Sequence, residues 1–369
     1  KLEVNKILLG DLNFSVKGNE KFNQFSIKSA IEQEGKEHFF LNGDVNFVGE
    51  QSSLELEAGF EKFNIAPFGP LIGNVLSNVR GNATGRATVR GSLSNPEVDG
   101  RLYLNDAGMR VPYLNVDYAF EKNSIVDLTE HQFSFRKIEV TDTKYSTKGI
   151  LDGSIRHEKF SNWQLNLRLD SNNILALDTE DTEDAYYYGT AFMNGGASIT
   201  GSINALNIKV AGESEKGTFI KIPVNNSESI GDNSFIKFMT QDEYKKIKEG
   251  NVVETNKYQG IELELDFNID QDANIEIILD RSSGHAMKGS GYGSILIEIN
   301  TLGKFLMTGD FQIVEGDYNF KYGGLIDKKF KVEKGGTIRW EGDPMGAILD
   351  LVATYKTTAN PGVLLESAS

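Results

Sequence analysis

Ile261-Glu262-Leu263-Glu264-Leu265-Asp266-Phe267-Asn268-Ile269-Asp270 alternates apolar and polar side chains without a break. Strict period two gives a strand one dry face and one wet face, because successive Cβ atoms point to opposite sides. The pattern belongs to a longer stretch, Tyr258 to Asp280. It resumes after Gln271-Asp272 at Ile275, Ile277 and Leu279, and after a Gly/Ser turn at Ile295, Ile297 and Ile299. The stretch predicts a meander of amphipathic strands. Few helices elsewhere offer to cover the dry face, so the use of that face is the functional question.

The chain has 369 residues, enough for two or three domains. Hydrophobic residues are 39% and charged residues 25%, which fits an ordered chain. Gly (38) and Pro (7) imply tight turns without a collagen-like tract. Short runs of Val, Ile, Phe, Tyr and Thr between Gly, Asn, Asp and Ser make the class mostly β. A net charge of −15 argues against nucleic acid and against anionic headgroups on the outer surface. The acids are interleaved with apolar residues, which reads as a solvated sheet face. No cysteine is present, so disulfides and thiolate metal sites are excluded. No run of about 18 apolar residues offers a membrane-spanning helix. The chain starts and stops in mid-pattern and is expected to be a piece of a longer protein, with any anchor elsewhere.

Alternation also marks Phe39 and Leu41, Val45 and Phe47, and Leu54, Leu56, Ala58 and Phe60. From Arg101 to Asp170 it is continuous. Leu102, Leu104, Val116, Tyr118 and Phe120 belong to it, and Trp163, Leu165, Leu167 and Leu169 close the region. Two stretches break the period. Phe68, Leu71, Ile72, Val75, Leu76 and Val79 form one helical stripe within Ala66–Val79, a core-packing helix or a lid or plug on an apolar groove. Thr240-Gln241-Asp242-Glu243 matches a capping box and opens a second short helix that Gly250 would stop. Val89-Arg90-Gly91-Ser92-Leu93 resembles Ile199-Thr200-Gly201-Ser202-Ile203. Met109-Arg110-Val111-Pro112 and Ile220-Lys221-Ile222-Pro223 follow them at matching distances. Glycine-led units recur about every 50 residues, which argues for a quasi-one-dimensional stack.

Chemistry-bearing motifs are absent. His38, His131, His157 and His285 are scattered without metal spacing. The run Asp178 to Asp184 lacks the glycine and terminal glutamate of a calcium loop and reads as a solvated loop. No nucleophile elbow or P-loop occurs, and Gly289-Ser290-Gly291-Tyr292-Gly293 reads as a turn or bulge between strands. No enzyme activity, metal or cofactor is expected beyond bound acyl chains of phospholipid or detergent.

The segment Gly91-Ser92-Leu93-Ser94-Asn95-Pro96-Glu97-Val98-Asp99-Gly100-Arg101-Leu102 resembles the G-x-L-x-x-P-x-x-x-G-x-L unit of the TamB family and its AsmA-like relatives. The distal part is similar to the TamB C-terminal domain, in order. Gly217-Thr218-Phe219-Ile220-Lys221-Ile222-Pro223, Gly316-Asp317-Tyr318-Asn319-Phe320, Gly335-Gly336-Thr337-Ile338-Arg339-Trp340-Glu341-Gly342-Asp343-Pro344 and Leu349-Asp350-Leu351 carry it. The resemblance covers roughly residues 80–369, and the family usually continues beyond the counterpart of Tyr355. It implies one long, strongly curved sheet folded like a taco around an apolar groove. It divides the chain into a β repeat ending in the helix (1–80), groove repeats (81–200) and a shortened C-terminal domain (201–369). It implies a periplasmic protein held in the inner membrane by a missing N-terminal helix. Such a protein passes phospholipids between the membranes and works with an outer-membrane barrel of the TamA/BamA type.

Burial of apolar surface is worth about 25 cal/mol per Å², so the dry face demands a cover of protein or lipid. The lining expected for a lipid groove starts with Leu54, Leu56, Phe60, Leu102 and Leu104. It continues through Val116, Tyr118, Phe120, Leu165, Leu167 and Leu169. Distally it takes in Ile261, Leu263, Leu265, Phe267, Ile269, Ile275, Ile277 and Leu279, then Ile295, Ile297, Ile299, Ile338, Trp340, Leu349 and Leu351. A scaffold whose open sheet edges template outer-membrane strands is the alternative. A sandwich or solenoid whose dry faces seal together is the third reading.

Overall fold

Period-two segments become strands throughout, and the strands join edge to edge into a single sheet. The computed structural model describes residues 1–49, 51–72, 76–159, 161–182, 185, 187–223, 260–322 and 325–358. The sheet begins as an antiparallel meander of β1 (Leu2–Val4), β2 (Ile7–Gly18), β3 (Gln24–Gln33), β4 (Lys36–Val48), β5 (Gln51–Asn64), β6 (Ser77–Ser92) and β7 (Asn95–Val111). Two short strands lying end to end, β8 (Val116–Phe120) and β9 (Ser124–Thr129), pair with the two ends of β7. β10 (Gln132–Asp142) pairs with both. β11 (Lys148–Glu158), β12 (Ser161–Thr179) and β13 (Tyr188–Ser202) continue the meander. β14 (Ala205–Ser214) and β15 (Phe219–Pro223) then share β13.

At this point the direction changes. β16 (Gly260–Ile269) lies parallel to β14, and β17 (Asn274–Asp280) lies parallel to β15. Antiparallel pairing resumes with β18 (His285–Asn300) and β19 (Phe305–Tyr322). β20 (Ile326–Val332) and β21 (Thr337–Gly342) share β19, and the outermost strands are β22 (Ile348–Asp350) and β23 (Ala353–Thr354). The sheet runs without interruption through residues 80 and 200, which lie inside β6 and β13.

The meander expected at Tyr258–Asp280 is corrected in one respect. β16 and β17 are not hairpin partners but two collinear halves, because β18, 16 residues long, reaches across both. The glycine run 289–293 lies inside β18, with a bulge between Ser290 and Gly291.

The helix expected over Ala66–Val79 is also corrected. A 3-10 turn covers Ala66–Ile72, and Ser77 already opens β6, which carries Val79. Pro67 and Pro70 withhold amide hydrogens and Gly69 and Gly73 weaken helix formation, so no more than a tight turn forms. Val75 and the side chains of Leu71 and Ile72 lie outside the described residues, as does the second expected helix at Thr240–Glu249.

Side chains of directly opposed residues share a face, so register turns strand patterns into rows across the sheet. One proximal row reads Val16, Ile27, Gly43, Leu56, Val89 and Val98. A distal row reads Leu167, Ile199, Ile208, Leu263, Ile299 and Phe305. Both rows are apolar; the distal one is part of the main buried cluster, whereas Val16, at the start of the proximal one, is exposed. Glycine interrupts several rows, Gly43 and Gly153 among them, each with a positive φ. Gly153 has φ +123°, and a Cβ on it would lie 2.2 Å from the Asn166 carbonyl oxygen of the next strand. Only glycine permits both the dihedral and the approach. Kinks of this kind, together with bulges, give a sheet its curvature.

Candidate functional site

The curl brings distant inner rows face to face. A continuous apolar cluster runs from Val111 and Val116 through Leu165, Ile208 and Leu263 to Ile338 and Trp340. Within it lies a cavity of about 830 Å³, with walls that include Leu165, Leu167, Leu169, Ile199, Ile208 and Ile299. A smaller space of about 110 Å³ adjoins it, where Tyr118 and Leu169 share a lining with Leu265, Ile297 and Met307. The interior is not open along its whole length. Met307 is 0% exposed, Ile338 1% and Trp340 2%, so near β19 and β21 the walls meet and side chains fill the trough.

Of the residues expected to line a groove, Tyr118, Leu165, Leu167, Leu169, Ile261, Leu263 and Ile299 border the large cavity. Leu265, Phe267, Ile269, Ile275, Ile295 and Ile297 border the small one. Val116, Ile277, Ile338 and Trp340 are buried in the same cluster, and Phe120, Leu279 and Leu351 pack against it half-buried. The proximal residues fall into separate clusters: Leu104 with half-buried Phe60 and Leu102, and Leu54 with Leu56. Leu349 is 51% exposed on the edge strand β22 and lines nothing. Of the expected lid, buried Leu76 does border the large cavity, whereas Phe68 is exposed and stacks on Phe63.

Ile199, Ile208, Val210 and Tyr187 also border the large cavity and were not among the expected residues. Leu206, Ile208 and Val210 alternate with polar or small neighbours, so the same periodicity would have found them. Tyr187 follows no such pattern; burial pushes its phenol up to about 12.

One seam bounds the cavity on one side, with Leu114, Asn115 and Tyr118 in its lining. β8 and β12 are separated in the sheet by β10 and β11, yet their ends reach past the β10–β11 turn and meet above it. The Asp178 amide donates to the Leu114 carbonyl at 2.9 Å. The Asn115 side-chain amide donates to the Asp178 carbonyl at 2.5 Å. The buried Tyr118 hydroxyl donates to the Leu175 carbonyl at 2.8 Å. Below the seam, Asp142 accepts from the backbone amides of Lys144, Tyr145 and Thr147 and fixes the turn. Asp178, expected in a solvated acidic loop, instead takes a 2.5 Å ion pair from Lys144 and a hydrogen bond from Thr190.

The walls are mainly aliphatic, with buried Tyr118 and half-buried Tyr187 among them, and exposed or half-buried polar residues, Arg110, Asn115, Glu180, Asn300 and Thr301, also border the cavity. On the outer face Glu264 pairs with Lys209 at 2.8 Å and Glu298 with Lys304 at 2.7 Å, so these acids are surface ion pairs. The fold brings His131 and His157 to 6.0 Å between ring centroids, with Trp163 and Phe133 beside His157. Among the described residues no group of three or more His, Asp or Glu is placed to hold a metal, and no helix is long and apolar enough to cross a membrane. A mainly aliphatic interior bordered by exposed polar residues is suited to holding apolar chains.

The model of the TamB C-terminal domain matches residues 136–369. The chain belongs to the TamB family. The TamB match covers every strand from β11 onward, and with them most of the walls of the large cavity. TamB is not a known enzyme family, and membership points in general terms to outer-membrane assembly and lipid transport. No curated protein and no solved structure matches the chain.

Proposed function

We propose that the chain carries phospholipids through the periplasm between the inner and outer membranes, along its apolar interior, as part of outer-membrane biogenesis. The carrying observation is the cavity of about 830 Å³, with a lining that is mainly aliphatic. That volume lies in the range of pockets that bury small ligands. Acyl chains ask for no hydrogen-bond partners, so a wall of Leu and Ile accepts many lipid species. A chain of net charge −15 repels anionic headgroups from its outer surface and leaves the interior as the place for lipid.

Native mass spectrometry of the purified chain tests the reading. The wild-type chain is expected to carry about one phospholipid, in keeping with the cavity volume. Leu169→Glu and Ile299→Glu place a carboxylate on half-buried cavity walls and are expected to lose most of that load, because an unpaired charge beside acyl chains is costly. A wild-type chain without lipid, or variants with an undiminished load, would defeat the proposal.

A second reading, a scaffold working with a TamA/BamA-type barrel, draws support from the sheet's ends. Among the described residues, 11–18 of β2 pair only with β3, and 326–330 of β20 pair only with β19. Such edges template added strands. Photocrosslinks from Val16 or Lys328 to the strands of a barrel, with the cavity variants fully active, would favour the scaffold.

A further inference from the structure

At the opening of the large cavity the described lining residues include three charged side chains, Arg110, Arg168 and Glu180. Arg168 is held by Asp170 at 2.7 Å. Arg110 differs. Its guanidinium donates to the Asn115 side-chain oxygen, and among the described residues it has no carboxylate partner. The acid opposite it in the sheet, Asp117, is taken by Arg80 at 2.6 Å. Asn115 is itself tied to the Asp178 carbonyl, so the seam that bounds the cavity also fixes the position of Arg110. A guanidinium with no carboxylate partner among the described residues, on a chain of net charge −15 and beside an apolar cavity, is suited to anion recognition.

We infer that Arg110, oriented by Asn115, is a phosphate-binding site that holds the headgroup of a phospholipid while its acyl chains occupy the cavity. The inference rests on the proposed lipid-carrying function and adds a headgroup anchor to it. The headgroup stays at the water boundary, where Arg110 is exposed. There the guanidinium offers the phosphate paired N–H donors, while the Asn115 side-chain amide is committed to the seam. A lipid without phosphate gains only the apolar wall.

Fluorescence competition binding on the intact chain tests this with three probes: dilauroyl phosphatidic acid, dilauroylglycerol and glycerol 3-phosphate. The wild-type chain is expected to prefer the phosphatidic acid over the glyceride by about tenfold or more, the size of a charge-assisted hydrogen bond. Glycerol 3-phosphate should not compete. Arg110→Gln should lower phosphatidic acid binding to the level of the glyceride and leave glyceride binding unchanged, and Arg110→Lys should restore part of the preference. Equal loss of both lipids in Arg110→Gln would make Arg110 structural and overturn the site. Unchanged binding of both would overturn it as well. Competition by glycerol 3-phosphate as strong as by the lipid would assign the anion to a free phosphate and overturn the headgroup assignment. Failure of the wild-type chain to bind either lipid would instead sink the lipid-carrying function itself.

Discussion

At the scale of single residues, the inner-facing glycines decide whether this sheet curls. A β-branched side chain at such a position would favour a strand in isolation, but it would collide with the neighbouring strand here. Gly153→Val forces a positive φ on valine and sets its Cβ against the Asn166 carbonyl. The expected cost is about 3 kcal/mol or more, combining backbone strain with the displacement of β12. Denaturant unfolding should show a variant far less stable than wild type or one recovered only in insoluble form. A melting profile indistinguishable from wild type would mean that the bend lies elsewhere.

At the scale of elements, the seam between β8 and β12 is the most specific joint in the molecule. Tyr118→Phe keeps the ring and removes the hydroxyl, leaving the Leu175 carbonyl buried without its donor. A loss of about 1–3 kcal/mol is expected in thermal unfolding. Amide exchange at Asp178 should also quicken while strands far from the seam are unaffected. Exchange that rises everywhere alike would show that the bond supports the whole sheet and not this joint. The elements also show what sequence can convey. The inner set Ile261, Leu263 and Leu265 was readable because period two names a face directly. It does not name a neighbour, so nothing in Ile261 to Leu279 told that β16 and β17 lie end to end against β18. The repeat of Gly91-Ser92 at Gly201-Ser202 was legible for a physical reason. Each glycine leads into a hairpin, β6 to β7 and β13 to β14, and each hairpin must turn within two residues. The cavity was not legible. Its walls, Leu165 and Ile299 among them, meet only when the sheet has curled, and the degree of curl depends on glycine contacts that no single strand reveals. The Ala66–Val79 stripe misled because apolar spacing is shared by a helix and by a turn leading into a strand, and two prolines settled the matter.

At the scale of the whole molecule, the parallel step that sets β16 and β17 against β14 and β15 has consequences for how the chain reaches its final shape. Up to β15, each strand finds its partner a short hairpin or loop away, so assembly can proceed in the order of synthesis. β15 and β16 are different: β15 ends at Pro223, and β16, which begins at Gly260, pairs with β14 in parallel and not with β15 in a hairpin. Non-local pairing of this sort is slow, because the closure entropy is spent before any contact rewards it. The block from β16 to β21 is therefore expected to form its own meander first and then dock along the waiting edge of β14 and β15. Stopped-flow refolding should resolve two phases, with Trp340 reporting the early one and the docking phase slowed by lengthening the 224–259 link. A single phase for both would deny the order. In a cell, the interval between the two phases leaves a long bare edge exposed to any other strand in the vicinity, so the time during which this protein needs a chaperone is set by one crossing of the chain.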